Sequence, residues 1–452
     1  MLQNLLSLSC ICLGLAMFKI KTEYKIGILL LMLQLFTILR IPIIGRATFF
    51  IPICFIISEL KNFKAIKRTL KTTIVWNVFK VFLVSIVFLI IFSPHLHDIN
   101  TIRFLLQEEV LFKYFLLAYS FYACKNIKNI EIVVKISLIG LLVMTIFGVY
   151  NYVTKSSYYV GALMSTYNTS SMFDGNMDFS AMYKDGFRFR VNSTFMNPFD
   201  YGFMCIVLAL LYSYAYLYKI IKKKLYYIAL FACLFGIFTC GSRTVILTGM
   251  IAAVVYLLSA FNLGKTLKVS FLAVLLSLFA YQTIPYVNQK VDFALSALDK
   301  NSKEEGSSVE GRTEQYAAVL YHIQDDLLFG KGYMYFTIDL GWGKGKAYVV
   351  DRDLFGLEGV AMNYLLERGI VGYLFYLIFY IMLVVYLFKH RRYGTKEYAL
   401  GISVLTAYFI YSNMTGELLS LQPTLLILGC ALGILNNKIN YASKNINSCS
   451  SL

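Results

Sequence analysis

Charged side chains are scarce in this sequence: they make up 15% of its 452 residues, against 58% hydrophobic residues and a mean hydropathy of +0.65. Soluble globular domains carry about a quarter of their residues charged, so that class is excluded. Cysteine is missing from both long polar stretches. Of the nine cysteines, Cys10, Cys12, Cys54, Cys124, Cys205, Cys233, Cys240 and Cys430 fall in or at the ends of apolar runs, and Cys449 lies in the tail. An external disulfide framework is therefore excluded, and there is no Cys-x-x-Cys metal signature. The first apolar stretch, 5–17, lacks the basic leader and small-residue cleavage site of a signal peptide and reads as a retained segment. No internal repeat of the transporter kind is visible. The glycine-rich Gly341-Trp-Gly-Lys-Gly345 has no P-loop spacing and reads as a turn.

What the sequence does have is apolar length. A helix needs about 20 apolar residues to cross the roughly 30 Å hydrocarbon core of a bilayer. Apolar runs lie near 3–19, 26–39, 41–58, 74–93, 104–124, 132–153, 198–218, 225–240, 243–260, 267–284, 369–388, 398–414 and 418–436. They predict an all-α polytopic integral membrane protein of about 12–13 transmembrane helices, with a large extracytoplasmic loop containing short helices. The expected division is N-terminal transmembrane helices at 1–153, a smaller extracytoplasmic loop at 154–197, central transmembrane helices at 198–284, the large extracytoplasmic loop at 285–358, C-terminal transmembrane helices at 359–436, and a cytoplasmic tail at 437–452. The tail is Asn- and Ser-rich enough to be expected disordered.

A formal charge of +17 would suggest nucleic acid in a soluble protein. Here the basic residues cluster in short loops: Lys61, Lys64, Lys67, Arg68 and Lys71; Lys125 and Lys128; Lys222, Lys223 and Lys224; Lys265 and Lys268; Lys389, Arg391 and Arg392. Alternating runs put all of these on one side, which the positive-inside rule makes cytoplasmic. The partner implied is the lipid bilayer, not nucleic acid, and both long loops are expected to face outward.

Chemistry is then expected in those loops. Arg188 and Arg190 precede the helix starting near Asn197-Pro198. Arg243 sits in Cys240-Gly-Ser-Arg-Thr244, and Arg312 begins the helical part of the large loop. A guanidinium at a membrane boundary is costly and usually has an anionic partner or an aqueous cavity. Its planar fork binds phosphate oxygens bidentately, so the four arginines point to a diphosphate-bearing ligand, the bland alternative being headgroup snorkelling. Glu310, Glu314, Asp339, Asp351, Asp353, Glu358 and Glu367 are candidate bases toward a hydroxyl, most of them expected to be solvated loop residues. Glu358 is preferred because it lies where the loop re-enters the membrane. His322, in an apolar helical stretch, reads as structural. The smaller loop is dense in aromatics, among them Tyr158, Tyr167, Phe173, Tyr183 and Phe195, which can stack on sugars or anchor at the interface.

Three motifs carry a family resemblance. RVNSTFMNP at 190–198 is similar to an arginine followed by Asn-Pro at a helix start. Gly241-Ser-Arg-Thr244 before a small-residue-rich helix is similar to a Ser-Arg element. Gly311-Arg312, Gly330-Lys-Gly332 and then NYLLERGIVG at 363–372 resemble a large external loop and its return. In order and spacing over about residues 186–390, the chain resembles the bacterial O-antigen polymerase and ligase superfamily, membrane glycosyltransferases of the outer leaflet. One position departs: ligases place a His before the Asn of the loop return, whereas Met362 precedes Asn363. That favours the Wzy-type polymerase branch. The resemblance implies residence in the bacterial inner membrane and transfer of glycan from an undecaprenyl-diphosphate-linked donor to a lipid-linked acceptor, without a metal or other cofactor. It also implies a chain-length regulator and a flippase as partners. Arg243, Arg312, Glu358 and Asn363 are the expected catalytic residues, with Arg188, Arg190 and Asn197 binding substrate. The competing readings are a ligase, a lipid-linked oligosaccharide flippase or transporter without chemistry, and an assembly partner. Transporters more often carry charges within their spans, where this chain has Arg46 and Lys80 as exceptions.

Overall fold

In a computed structural model the described residues are 2–41, 45–94, 99–106, 113–164, 183–184, 188–261, 282, 309–339, 354, 357, 359–416 and 420–449. Helices dominate because lipid offers a backbone no hydrogen-bond partners, so each apolar run must satisfy its own. In chain order they are α1 Leu2–Ala16, α2 Thr22–Leu35, α3 Ala47–Glu59, α4 Phe63–Leu70, α5 Ile74–Phe92, α6 Ile99–Leu105, α7 Leu116–Ala123, α8 Ile127–Thr154, α9 Tyr158–Met164, α10 Pro198–Leu217, α11 Lys223–Thr239 and α12 Arg243–Ala260. After these come α13 Val309–His322, α14 Tyr335–Ile338, α15 Val360–His390, α16 Thr395–Thr415 and α17 Leu421–Cys449. The described strands form two small antiparallel hairpins, Arg40–Ile41 with Gly45–Arg46 and Tyr183–Lys184 with Arg188–Phe189.

Six of the described helices are long and apolar enough to span a membrane: α5, α8, α10, α12, α15 and α17. The protein is thus the all-α polytopic membrane protein expected. Several other runs fold as shorter helices. α2 has only 14 residues, but ten are buried, so protein walls it in place of lipid. The run near 41–58 opens with the first hairpin and turns helical at Ala47, and the run near 104–124 is divided between α6 and α7. The expected span near 267–284 lies almost wholly outside the described residues. The tail is corrected in part: α17 continues through Cys449, well past residue 436. A helix already paid for in nucleation extends at little cost even through Asn and Ser.

Helix starts are written locally. Asn126 caps α8 by accepting from the Asn129 amide at 3.1 Å, Asn197 caps α10 by accepting from Phe199, and Ser242 caps α12 by accepting from Val245. Small residues permit close crossings. On α17, Gly429 faces the Leu117 carbonyl, which would stand 2.7 Å from a Cβ added there. A buried Lys25–Glu59 pair (2.6 Å) joins α2 to α3, and Glu397 at the start of α16 receives Lys438, Tyr214 and Tyr218.

Candidate functional site

Among the described residues, Arg190, Asn197 and Arg243 come together at one end of the bundle, called here the loop end. The stretch between the second hairpin and α10 is threaded into the core there. Asn192, Ser193 and Thr194 are fully buried. The Asn151 and Asn192 amides meet at 2.9 Å, Ser157 donates to Asn192, Ser193 donates to the Met144 carbonyl, and Thr194 donates to the Gln34 carbonyl. These bonds hold the stretch to α2 and α8, and so fix the flanking Arg190 and Asn197.

Arg190 and Arg243 are brought into one corner. The Val191 amide donates to the Thr239 carbonyl at 3.1 Å, at the end of α11. The Arg190 guanidinium lies 5.2 Å from the ring centroid of Phe199, in the first turn of the helix that Asn197 caps. Its aliphatic stem covers Gly241, whose left-handed φ of +66° turns the chain from α11 into α12; a Cβ there would meet the Arg190 Cγ at 2.9 Å. Arg243 follows as the first residue of α12 and is half-buried. The buried Asp200 stands in the first turn of α10 beside the Tyr411 hydroxyl at 3.5 Å. The corner thus holds two guanidinium groups next to two helix N-termini, whose free amides and dipoles also favour an anion.

The second element is the docking of the large loop on its own return. Main-chain bonds run from the Lys331 amide to the Leu366 carbonyl (2.8 Å), from Gly332 to Glu367, from Ile370 to Leu327 and from Val371 to Leu328. They require α15 to break at Gly369, with φ +61° and ψ −168°. The Tyr333 main-chain amide then donates to Ser93 Oγ at 2.7 Å, and Phe329 stacks on Phe92 at 4.1 Å, tying the loop to the end of α5. Behind the break, Val319 of α13 and Ile323 just past its end pack on Met362 and Leu366.

The third element was not expected from the sequence. A small cleft, with room for about one water, lies among α5, α15, α16 and the first residue of α17, lined by Ser85, Lys113, Tyr364, Arg368, Tyr380 and Tyr408 among others. Lys113 and Arg368 are buried. Lys113 Nζ donates to the Tyr364 hydroxyl at 3.1 Å, and the Arg368 guanidinium sits 4.2 Å from the same ring's centroid.

Arg190, Asn197 and Arg243 therefore share one corner. Asn363 stands in the first turn of α15, its amide donating to the Gly359 carbonyl, immediately before Tyr364. Arg312 lies on α13 and Arg188 pairs with Lys184 in the second hairpin. Glu358 lies outside the described residues. Met362, at the position of the ligase histidine, is fully buried in an apolar cluster. Lys113 and Arg368 were missed, although a cation inside an apolar run was the available signal. Arg368 falls within the quoted NYLLERGIVG motif, and Lys113 within the 104–124 run.

The fold defines an all-α polytopic membrane protein that gathers Arg190 and Arg243 in one corner. Residues 228–377 match the family model of the O-antigen ligases. The match takes in Arg243, the docked loop, Asn363 and Arg368, and leaves out Arg190, Asn197 and Lys113. No curated protein matches the chain.

Proposed function

We propose that the protein polymerises oligosaccharide repeat units carried on undecaprenyl diphosphate, at the outer leaflet of a bacterial inner membrane, with both long loops on that side. The observation that carries this reading is the corner formed by Arg190, Arg243 and the N-termini of α10 and α12. Members of the family act on lipid-linked glycans in membranes. In the proposed reaction an acceptor hydroxyl attacks the anomeric carbon of the donor. A C–O bond to that carbon forms as the bond to the diphosphate oxygen breaks, and the diphosphate departs with the electron pair. A diphosphate leaves as an anion without a general acid, so cations aimed at it supply much of the acceleration. Arg190 and Arg243 take that role, Arg312 joins them from α13, Arg188 and Asn197 hold substrate, and Asn363 orients the acceptor. Glu358 accepts the hydroxyl proton. No metal is invoked, and a flippase and a chain-length regulator are the proposed partners.

Two observations divide polymerase from ligase. Burial of Met362 where a ligase carries its histidine supports the polymerase, while the description of the matched family supports the ligase. The test is purified protein with a defined undecaprenyl-diphosphate repeat unit, offered either alone or with a lipid A core acceptor. A ladder spaced by one repeat supports the polymerase. A single product on the lipid A core alone supports the ligase, and movement of labelled lipid across a vesicle with no product supports a flippase.

A further inference from the structure

Several cations of this protein find a carboxylate: Lys135 meets Glu131 at 2.7 Å, Lys331 meets Asp326 at 2.8 Å, and Lys438 meets Glu397 at 2.7 Å. The segment around α4 is built differently. Residues 60–71 read LKNFKAIKRTLK, five cations with no acidic residue. Lys61, Lys64, Lys67, Arg68 and Lys71 are all exposed, and among the described residues none of these side chains has an ion-pair or hydrogen-bond partner. Glu59, the nearest carboxylate along the chain, is buried and taken up by Lys25. We propose that α4 is an interfacial helix whose cationic face binds anionic phospholipid headgroups, at the end of the bundle opposite the docked loop. The inference does not rest on the polymerase reading.

The helical period gathers four of the cations. Lys64, Lys67, Arg68 and Lys71 stand at i, i+3, i+4 and i+7, the spacing of a single helix face. Ile66 and Leu70, one turn apart, are buried in the core and anchor the opposing side of α4, so the cationic face stays outward. Like charges three and four positions apart repel and weaken a helix on their own. A surface of closely spaced phosphates turns that repulsion into attraction, with Arg68 presenting a fork to phosphate oxygens and the lysines point charges.

The position of α4 in the fold suits the same partner. Its 8 residues reach about 12 Å, too short to cross a bilayer. It leads into α5, a helix long and apolar enough to span, whose other end carries Phe92 stacked on Phe329 of the docked loop. That sets α4 at the membrane boundary away from the loop end. Leu60 and Phe63 are exposed there, at 60% and 56%, and Phe63 lies one turn before Lys67 at the border of the cationic face. Apolar side chains beside long cationic ones fit the layer between acyl chains and headgroups, where aliphatic stems stay in the apolar region and the charged tips reach phosphate.

The test is electron paramagnetic resonance of spin-labelled phospholipids around the full chain in phosphatidylcholine vesicles, which reads the fraction of each lipid held at the protein. The wild type is expected to select phosphatidylglycerol over phosphatidylcholine about fivefold or more at low salt, and to lose that preference near 1 M salt, where screening acts within about 3 Å. Lys64→Gln, Lys67→Gln, Arg68→Gln and Lys71→Gln combined lower the selectivity about threefold or more. Lys64→Arg, Lys67→Arg and Lys71→Arg combined keep it, and Phe63→Ser, which leaves every charge in place, lowers it in part. Lys222→Gln, Lys223→Gln and Lys224→Gln combined remove three exposed cations from another basic loop and change it less. An equal loss in the two glutamine variants overturns the proposal in favour of a general effect of basic loops. Unchanged selectivity in the α4 variant overturns it as well, and if that variant instead loses binding of poly-glutamate, the face belongs to an acidic protein segment.

Discussion

Gly330 and Gly369 face each other where the large loop meets its return: a Cβ on Gly330 would stand 2.5 Å from the Gly369 amide nitrogen. Both residues have positive φ, +72° and +61°. Their contact forces α15 to break and seats Arg368 and Tyr364 beside the cleft. Alanine at either position adds backbone strain and a contact no real side chain makes, at a cost on the order of 3 kcal/mol. Gly330→Ala and Gly369→Ala are expected to speed protease cleavage between 327 and 339 and to lower the melting temperature in detergent, Gly369→Ala also cutting product formation.

Arg190 and Arg243 act on one leaving group if the proposed reaction holds. Each alanine variant is expected to lower the rate of ladder formation by about 100-fold. The double variant should lose less than the product of the two, because the groups share a partner. Gly241→Val, whose Cβ would displace the Arg190 stem, is expected to reproduce much of the Arg190→Ala defect while leaving the helices intact by circular dichroism.

Met362→His separates the ligase motif from its setting. An imidazole placed among Val319, Ile323 and Leu366 is a buried polar group in an apolar cluster, costing about 1–3 kcal/mol. The expected outcome is a lower melting temperature and no gain of transfer to a lipid A core acceptor. A gain of that transfer would show that the histidine position faces substrate.

The Lys25–Glu59 pair is buried at both ends, with Ser58 and Thr22 completing its hydrogen bonds. Removing one partner strands a charge in the core. Glu59→Leu alone is expected to cost about 3–5 kcal/mol, and the double variant Lys25→Met with Glu59→Leu clearly less, as read by thermal unfolding of purified protein.

The membrane class, the positions of most helices and the arginine-bearing motifs were legible in the chain itself, because each is a local property: apolar length, a capping Asn or Ser, a Gly-Ser-Arg turn. Asn197 and Ser242 cap the helices their positions announce. What sequence could not supply is adjacency between residues far apart along the chain. Arg190 and Gly241 are brought into contact because Asn192, Ser193 and Thr194 find their hydrogen-bond partners on α2, α8 and α9's flank, a choice made by burial. Lys113 and Tyr364 are separated by 251 positions and meet because α5, α15 and α17 enclose a small cleft between them. Even Met362, which as a letter in a motif marked only a missing histidine, acquires its meaning from α13 packing across it. Composition and periodicity determined that this chain lives in a membrane; only tertiary packing, which sets the distances between distant charges, decided where its cations converge.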